Sequence, residues 1–191
     1  MENSYQVFRS HFPFLSNQDL EKIKVHSSIR TLQKKEFWQD GQNHYKVAFL
    51  VKGAIRAFYI DKNGKEITTI LKMAGTTIVT PGAAHKQHKK VYFSQAIIAT
   101  EIIEIPLSAL LMLCPQNERI FQFYFLNTVN HLDALMERVE NLISLKPEER
   151  MQFLLQHKKE LVETIPHKYE ADFIGITPVS FSRLLKKLTA N

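Results

Sequence analysis

Cysteine is nearly absent. Cys114 is the only one in 191 residues, which excludes an intramolecular disulfide, a CxxC redox pair, a thiolate zinc site and a Cys-ligated iron–sulfur cluster. A reducing compartment is the expected setting. Six glycines and seven prolines are too few for a collagen-like or linker-like chain. Long apolar runs are missing as well. The most apolar stretch, 102–114, is broken by Glu104, Pro106 and Ser108 and falls short of the ~20 residues a membrane span needs. The N-terminus has no basic segment followed by an apolar run and no small-residue cleavage site, so no signal peptide is expected. Together these point to a cytoplasmic protein with no membrane contact. Acidic residues are outnumbered, 19 against 25 Lys+Arg, for a net charge of +6 and a pI near 9.3. That balance favours polyanionic partners. The remainder is ordinary globular composition, 45 % hydrophobic and 23 % charged. At 22.2 kDa the chain makes one domain, or one domain plus a small module, without needing staples.

Ser16 followed by Asp19 forms a capping-box pattern, with Asp replacing the usual Glu or Gln, and Leu20 and Ile23 continue one helix face. From Val25 to Pro106 the pattern turns to strands. Val47–Val51 is an apolar run ended by Gly53, and Ile55–Ile60 is another. Asn63-Gly64 marks a hairpin, with both turn residues expected at positive φ, and Glu66–Leu71 returns. Val91–Ala99 and Glu101–Ile105 supply two more strands. Many short strands without intervening helices predict an antiparallel barrel or roll.

After Pro106 the strands stop. Pro115 is expected to open a long helix that meets no Pro or Gly until Pro147. Phe121, Phe125, Thr128, Leu132, Leu135, Val139 and Leu142 are spaced 4, 3, 4, 3, 4, 3, the heptad spacing that keeps a seam facing a partner helix. These seven form the expected parallel dimer interface. A second line, Leu126, Val129, Met136 and Ile143, is expected to face the barrel. Pro147, followed by Glu148 and Glu149, starts the next helix.

Residues 167–188, HKYEADFIGITPVSFSRLLKKL, carry the most information. A helix-turn-helix needs a small residue in its first helix, a glycine at the turn, and apolar positions on both helices. Ala171 and Gly175 supply the first two, and Ile174, Ile176, Phe181 and Leu184 the third. Thr177 suits an N-cap and Pro178 the first helical position. From Thr177 onward there are three basic residues and no acidic one, as a helix placed beside phosphates requires. Glu170 stands where such motifs bury an aliphatic residue. It either turns to solvent through a slight rotation or loosens the packing of the first helix.

These segments together resemble the Crp/Fnr transcription regulators, in particular their shorter Bacteroidetes-like branch. Gly53-Ala-Ile-Arg56, Asn63-Gly-Lys-Glu-Ile-Thr68 and Ala99-Thr-Glu101 resemble the family's barrel strands. Leu145-Lys-Pro-Glu-Glu-Arg150 resembles its hinge, and Gly175-Ile-Thr-Pro178 with Ser182-Arg183 its helix-turn-helix. The resemblance covers nearly the whole chain, though the sequence carries no wing strands after Leu188. It implies an α+β protein: an N-terminal antiparallel β-roll of the cyclic-nucleotide-binding type with an N-terminal helix (1–114), a long dimerisation helix (115–145), and a C-terminal helix-turn-helix module (146–191). It further implies a homodimer reading double-stranded DNA at a near-palindromic site, with RNA polymerase as a further partner. The DNA-binding set is Lys168, Thr177, Val179, Ser180, Ser182, Arg183, Lys186 and Lys187. Arg183 is the base reader, Lys186 and Lys187 contact phosphates, and Val179 replaces a Glu that reads cytosine in many members.

Family members that bind cAMP carry Gly-Glu and Arg-Ala pairs. Here the matching stretch, 75–84, has no acid, and Lys90-Val91-Tyr92 stands at the Arg-Ala position. Lys cannot fork onto a phosphate, so cAMP binding is not expected and no cofactor is assigned. Lys90, Tyr92 and Thr128 are the effector-pocket candidates, Thr128 because family members lend a hydroxyl from the long helix. His85-Lys-Gln-His-Lys-Lys90 reads as a solvated loop, with an anion cradle or a metal pair as the other readings. No catalytic residue and no metal ligand is assigned, and the protein is not expected to be an enzyme. The competing readings are an effector-binding or adaptor dimer with a vestigial DNA-binding motif, and a cupin-like enzyme, whose His/Glu cluster is not visible.

Overall fold

The computed structural model describes residues 2–41, 45–79 and 91–189. The loop at 85–90, Lys90 included, lies outside the described residues. Two helices open the chain, α1 (Glu2–His11) and α2 (Asn17–His26). The capping box at α2 is present: the Ser16 hydroxyl accepts from the Asp19 N–H at 3.2 Å, and the Asp19 carboxylate accepts from the Ser16 N–H at 2.8 Å. Burial alone would raise the pKa of Asp19, but bonds from Ser16 and Asn117 and the nearby Arg119 bring it down to about 2. Asn117 in turn caps the long helix by accepting from the Ile120 N–H at 3.0 Å. One buried carboxylate therefore ties the start of the chain to that helix.

Among the described residues eight strands follow: β1 (Ser28–Leu32), β2 (Phe37–Gln39), β3 (Lys46–Lys52), β4 (Ala54–Ile60), β5 (Glu66–Met73), β6 (Thr77–Val79), β7 (Tyr92–Ala96) and β8 (Thr100–Pro106). They form two four-stranded antiparallel sheets, ordered β1-β8-β3-β6 and β2-β7-β4-β5. The space between the sheets is filled by Leu32, Trp38, Leu50, Ile55, Ile70, Ile78 and Ile102. The other face of β3 packs Val47 and Phe49 against Phe8, Ile23 and Phe123 of the helices. Burial on both faces explains why this strand reads as an unbroken apolar run. The 61–64 turn makes the expected hairpin but not with two positive φ values. Only Gly64 has one, +77°. Gly64 N–H donates to Asp61 C=O, and Asp61 N–H to Lys65 C=O, so a three-residue loop with a glycine bulge replaces the two-residue turn.

Six α-helices follow among the described residues: α3 (Leu107–Leu113), α4 (Glu118–Ser144), α5 (Pro147–His157), α6 (Lys159–Thr164), α7 (His167–Phe173) and α8 (Pro178–Thr189). The long helix starts at Glu118, not at Pro115, which sits in a short 3₁₀ turn, Cys114–Gln116. Its 27 residues span about 40 Å at 1.5 Å per residue. The C-terminal module does not hang free. A single buried cluster joins Ala54, Leu71 and Ile97 of the roll to Met151, Leu161, Ala171 and Phe181 of the module. Among the described residues no helix is long and apolar enough to cross a membrane.

Candidate nucleic-acid interface

Helices α7 and α8 are joined by a Schellman turn. Ile176 N–H donates to Ala171 C=O at 2.8 Å and Gly175 N–H to Asp172 C=O at 3.1 Å, with Gly175 at φ +71°. A Cβ at Gly175 would lie 3.1 Å from both Arg150 Nη1 and Leu142 Cδ2. Gly175→Ala is therefore expected to destabilise the protein by roughly 1–3 kcal/mol, from left-handed strain and crowding together. Thermal denaturation reads this directly, and an unchanged melting temperature would contradict it. Thr177 caps α8, its hydroxyl accepting from the Ser180 N–H at 3.1 Å. Ala171 and Phe181 are fully buried and Ile174 nearly so, which leaves the opposite face of α8 to solvent.

On that face Val179, Ser182, Arg183, Lys186 and Lys187 are exposed, and Ser180 is half-buried. Lys187 is already engaged: its ammonium lies 2.8 and 3.0 Å from the two carboxylate oxygens of Glu148. Lys168 and Thr177 line a cleft of about 650 Å³ between the module and the β4–β5 hairpin. The hairpin grips the module. Thr68 N–H donates to the Asp172 carboxylate, Lys65 lies 3.7 Å from the same carboxylate, and the buried Arg56 guanidinium stacks 4.1 Å from the Tyr169 ring centre. Arg138 of α4 donates to Phe173 C=O at 2.9 Å and to Thr68 C=O at 3.4 Å, so roll, long helix and module meet at one side chain.

Glu170 does not turn to solvent. It is fully buried, and neither carboxylate oxygen has a partner among the described residues. Burial pushes its pKa up to about 8.

The long helix divides differently from its heptads. Phe121, Phe125, Leu132 and Val139 are exposed, as is Thr128, and the Phe121 and Phe125 rings stack at 5.8 Å. Leu135 and Leu142 are not on that face. Leu135 packs against the core between the sheets, and Leu142 lines the cavities beneath the module. Met136 and Ile143, expected to face the barrel, are 51 % and 80 % exposed, and Leu126 is exposed too. The cause is the mismatch between 3.5 and 3.6 residues per turn: a straight helix drifts about 20° per heptad, or about 60° over three. The exposed apolar line therefore runs Phe121, Phe125, Leu132, Met136, Val139, Ile143. Thr128, the effector-pocket candidate on this helix, is exposed. Its hydroxyl donates to Tyr124 C=O, while Asn127 is the residue that reaches the roll, accepting from the Thr77 hydroxyl at 2.8 Å. Tyr92 lies on β7 with its ring 5.9 Å from that of Tyr59. Neither Tyr92 nor Thr128 lines the cavity between β5 and α4, which is bounded by Lys72, His131, Leu135, Arg138 and Lys158. Lys72 and His131 carried no sequence signal beyond a lysine interrupting an apolar strand. Among the described residues no cluster of His, Cys, Asp or Glu is placed to hold a metal.

No protein-family profile and no curated protein sequence matches the chain. Solved structures do match. FixK2 from Bradyrhizobium japonicum is similar at 18 % identity and a TM-score of 0.72, covering 86 % of this chain and 85 % of its own. The c-di-GMP responsive global regulator CLP of Xanthomonas campestris is similar at 16 % identity and a TM-score of 0.70, covering 92 % of both chains. A Crp/Fnr-family transcriptional regulator from Eubacterium rectale is similar at 14 % identity and a TM-score of 0.68, covering 95 % and 88 %. The chain has the Crp/Fnr fold. The overlap extends over roll, long helix and C-terminal module alike, as the α+β reading of the sequence required.

Proposed function

We propose that this protein is a homodimeric transcription regulator of the Crp/Fnr type that reads a near-palindromic DNA site through α8. The observation that carries the reading is the exposed face of α8: Ser182, Arg183 and Lys186 stand in solvent on a helix with no acidic residue, fixed by a buried Ala171–Phe181 contact surface and a glycine turn. The fold likeness supports it. The exposed apolar line of α4 supplies the two-fold seam, and two modules on a two-fold axis read half-sites about one helical turn apart. Arg183 is the base reader, since its fork matches guanine O6 and N7. Lys186 binds phosphate. Lys187, shared with Glu148, contributes less than Lys186. Val179 offers a methyl-accepting surface in place of a hydrogen-bond acceptor. The roll is not expected to bind cAMP.

Gel shifts with a salt series on a selected site test this. Arg183→Ala should cost roughly 1–3 kcal/mol on the selected site and relax one position. Lys186→Ala should weaken all sequences alike and lower the salt slope by about one. Equal loss of specific and non-specific affinity in Arg183→Ala would reduce Arg183 to a phosphate contact.

A further inference from the structure

The cavity between β5 and α4 has an unusual lining. It measures about 60 Å³, is partly open to solvent, and is bounded on one side by Lys158 and Leu161 at the corner between α5 and α6. One water needs about 10–15 Å³ of such space, and a drug-sized ligand several hundred. The cavity therefore suits a few waters or one small ion, and a nucleotide does not fit. Four basic side chains face it: Lys72 from β5, His131 and Arg138 from α4, and Lys158 from the corner. Among the described residues no carboxylate lines it. Arg138 is committed to backbone carbonyls, and Lys158 is bonded to Glu137 outside the cavity. Lys72 has no hydrogen-bond or ion-pair partner among the described residues. The His131 Nδ1 is buried without a partner.

Folded proteins rarely leave such groups unpaired. The cations here also oppose one another. Burial, then the charge of Lys158, lowers the pKa of Lys72; burial, then the charge of Lys72, lowers that of His131. One negative group among the three relieves both effects.

We infer that this cavity binds a small oxyanion, held by the Lys72 ammonium, the His131 imidazole and the Lys158 ammonium. Lys72 supplies charge from the roll, His131 a ring N–H from the long helix, and Lys158 charge from the C-terminal module. An occupied site adds a further link between the roll, the long helix and the module, beside the Arg138 and Asp172 contacts. The inference rests on the cavity alone and stands whether or not the chain binds DNA.

The test is an NMR titration of the full chain, following the His131 imidazole while inorganic phosphate, sulfate or acetate replaces chloride at constant ionic strength. A saturable shift is expected with at least one of the three. Lys72→Gln should weaken that binding by about tenfold or more, as the loss of a charge-assisted contact does, without lowering the melting temperature. Gel shifts on the same samples report DNA binding separately, so the two readings fail independently. The absence of a saturable shift with all three anions would overturn the inference. So would wild-type affinity in Lys72→Gln, or a marked loss of stability in that variant, which would make Lys72 a structural residue.

Discussion

Glu170→Leu should raise the melting temperature, and by more in mild alkali than in mild acid. Glu170 is fully buried on α7 with both carboxylate oxygens unpartnered, and burial lifts its pKa from 4.5 to about 8. The sign follows from proton counting. Between those two values the folded state holds a proton that the unfolded state has released, so stability falls as pH rises. Below pH 4.5 both states are protonated and no penalty is felt; above 8 the full penalty applies. A shift of this size corresponds to about 3–5 kcal/mol across the window, or on the order of 10 °C in melting temperature for a chain of this length. The leucine variant carries no such penalty, so its advantage should widen from pH 5 to about pH 8.5. Thermal denaturation of both proteins across that range decides it. A variant less stable than the wild type at every pH would show that the carboxyl has a partner in the folded protein.

Leu132→Asp should convert a dimer into a monomer. Leu132 is 57 % exposed at the middle of an apolar line that none of the described residues covers, with Phe125 two turns before it and Met136 one turn after. Large apolar side chains are each worth about 1.5–3 kcal/mol when fully buried. A continuous row of six along 27 helical residues therefore favours pairing with a second copy, and a carboxylate in its centre opposes it. Light scattering should report about twice 22.2 kDa for the wild type and the monomer mass for Leu132→Asp, with the melting temperature of the monomer fold retained. Leu135→Asp should behave differently. Leu135 packs into the core between the sheets, so its loss unfolds the chain instead of separating two copies. A wild-type monomer at micromolar concentration, or a dimeric Leu132→Asp, would contradict the seam.

Local signals in the sequence carried the architecture well. The Ser16–Asp19 box, the 61–64 turn, the Pro147 helix start and the Thr177 cap all depend on contacts within a few residues, and all are present. The features that were not legible depend on rotation or on distant neighbours. Heptad counting placed Leu135 and Leu142 on the seam because it assumes 3.5 residues per turn, and the straight helix turns them inward. Asn127, which no sequence pattern singled out, reaches the roll by accepting from the Thr77 hydroxyl. Glu170 was visible as an anomaly, but whether it faced solvent depended on the roll packing over α7 through Thr68 and Tyr169. Lys72, His131 and Lys158 lie 59 and 27 residues apart in sequence, and only the docking of the module on the roll brings them around one cavity.

Selection from a random double-stranded DNA library, followed by footprinting of the enriched site, tests the central claim most directly. The account predicts enrichment of a near-palindrome, protected as two half-sites about one helical turn apart, with Arg183→Ala relaxing one base in each half. A protein that shows the same weak, salt-sensitive affinity for every sequence, with no enriched motif, would contradict it.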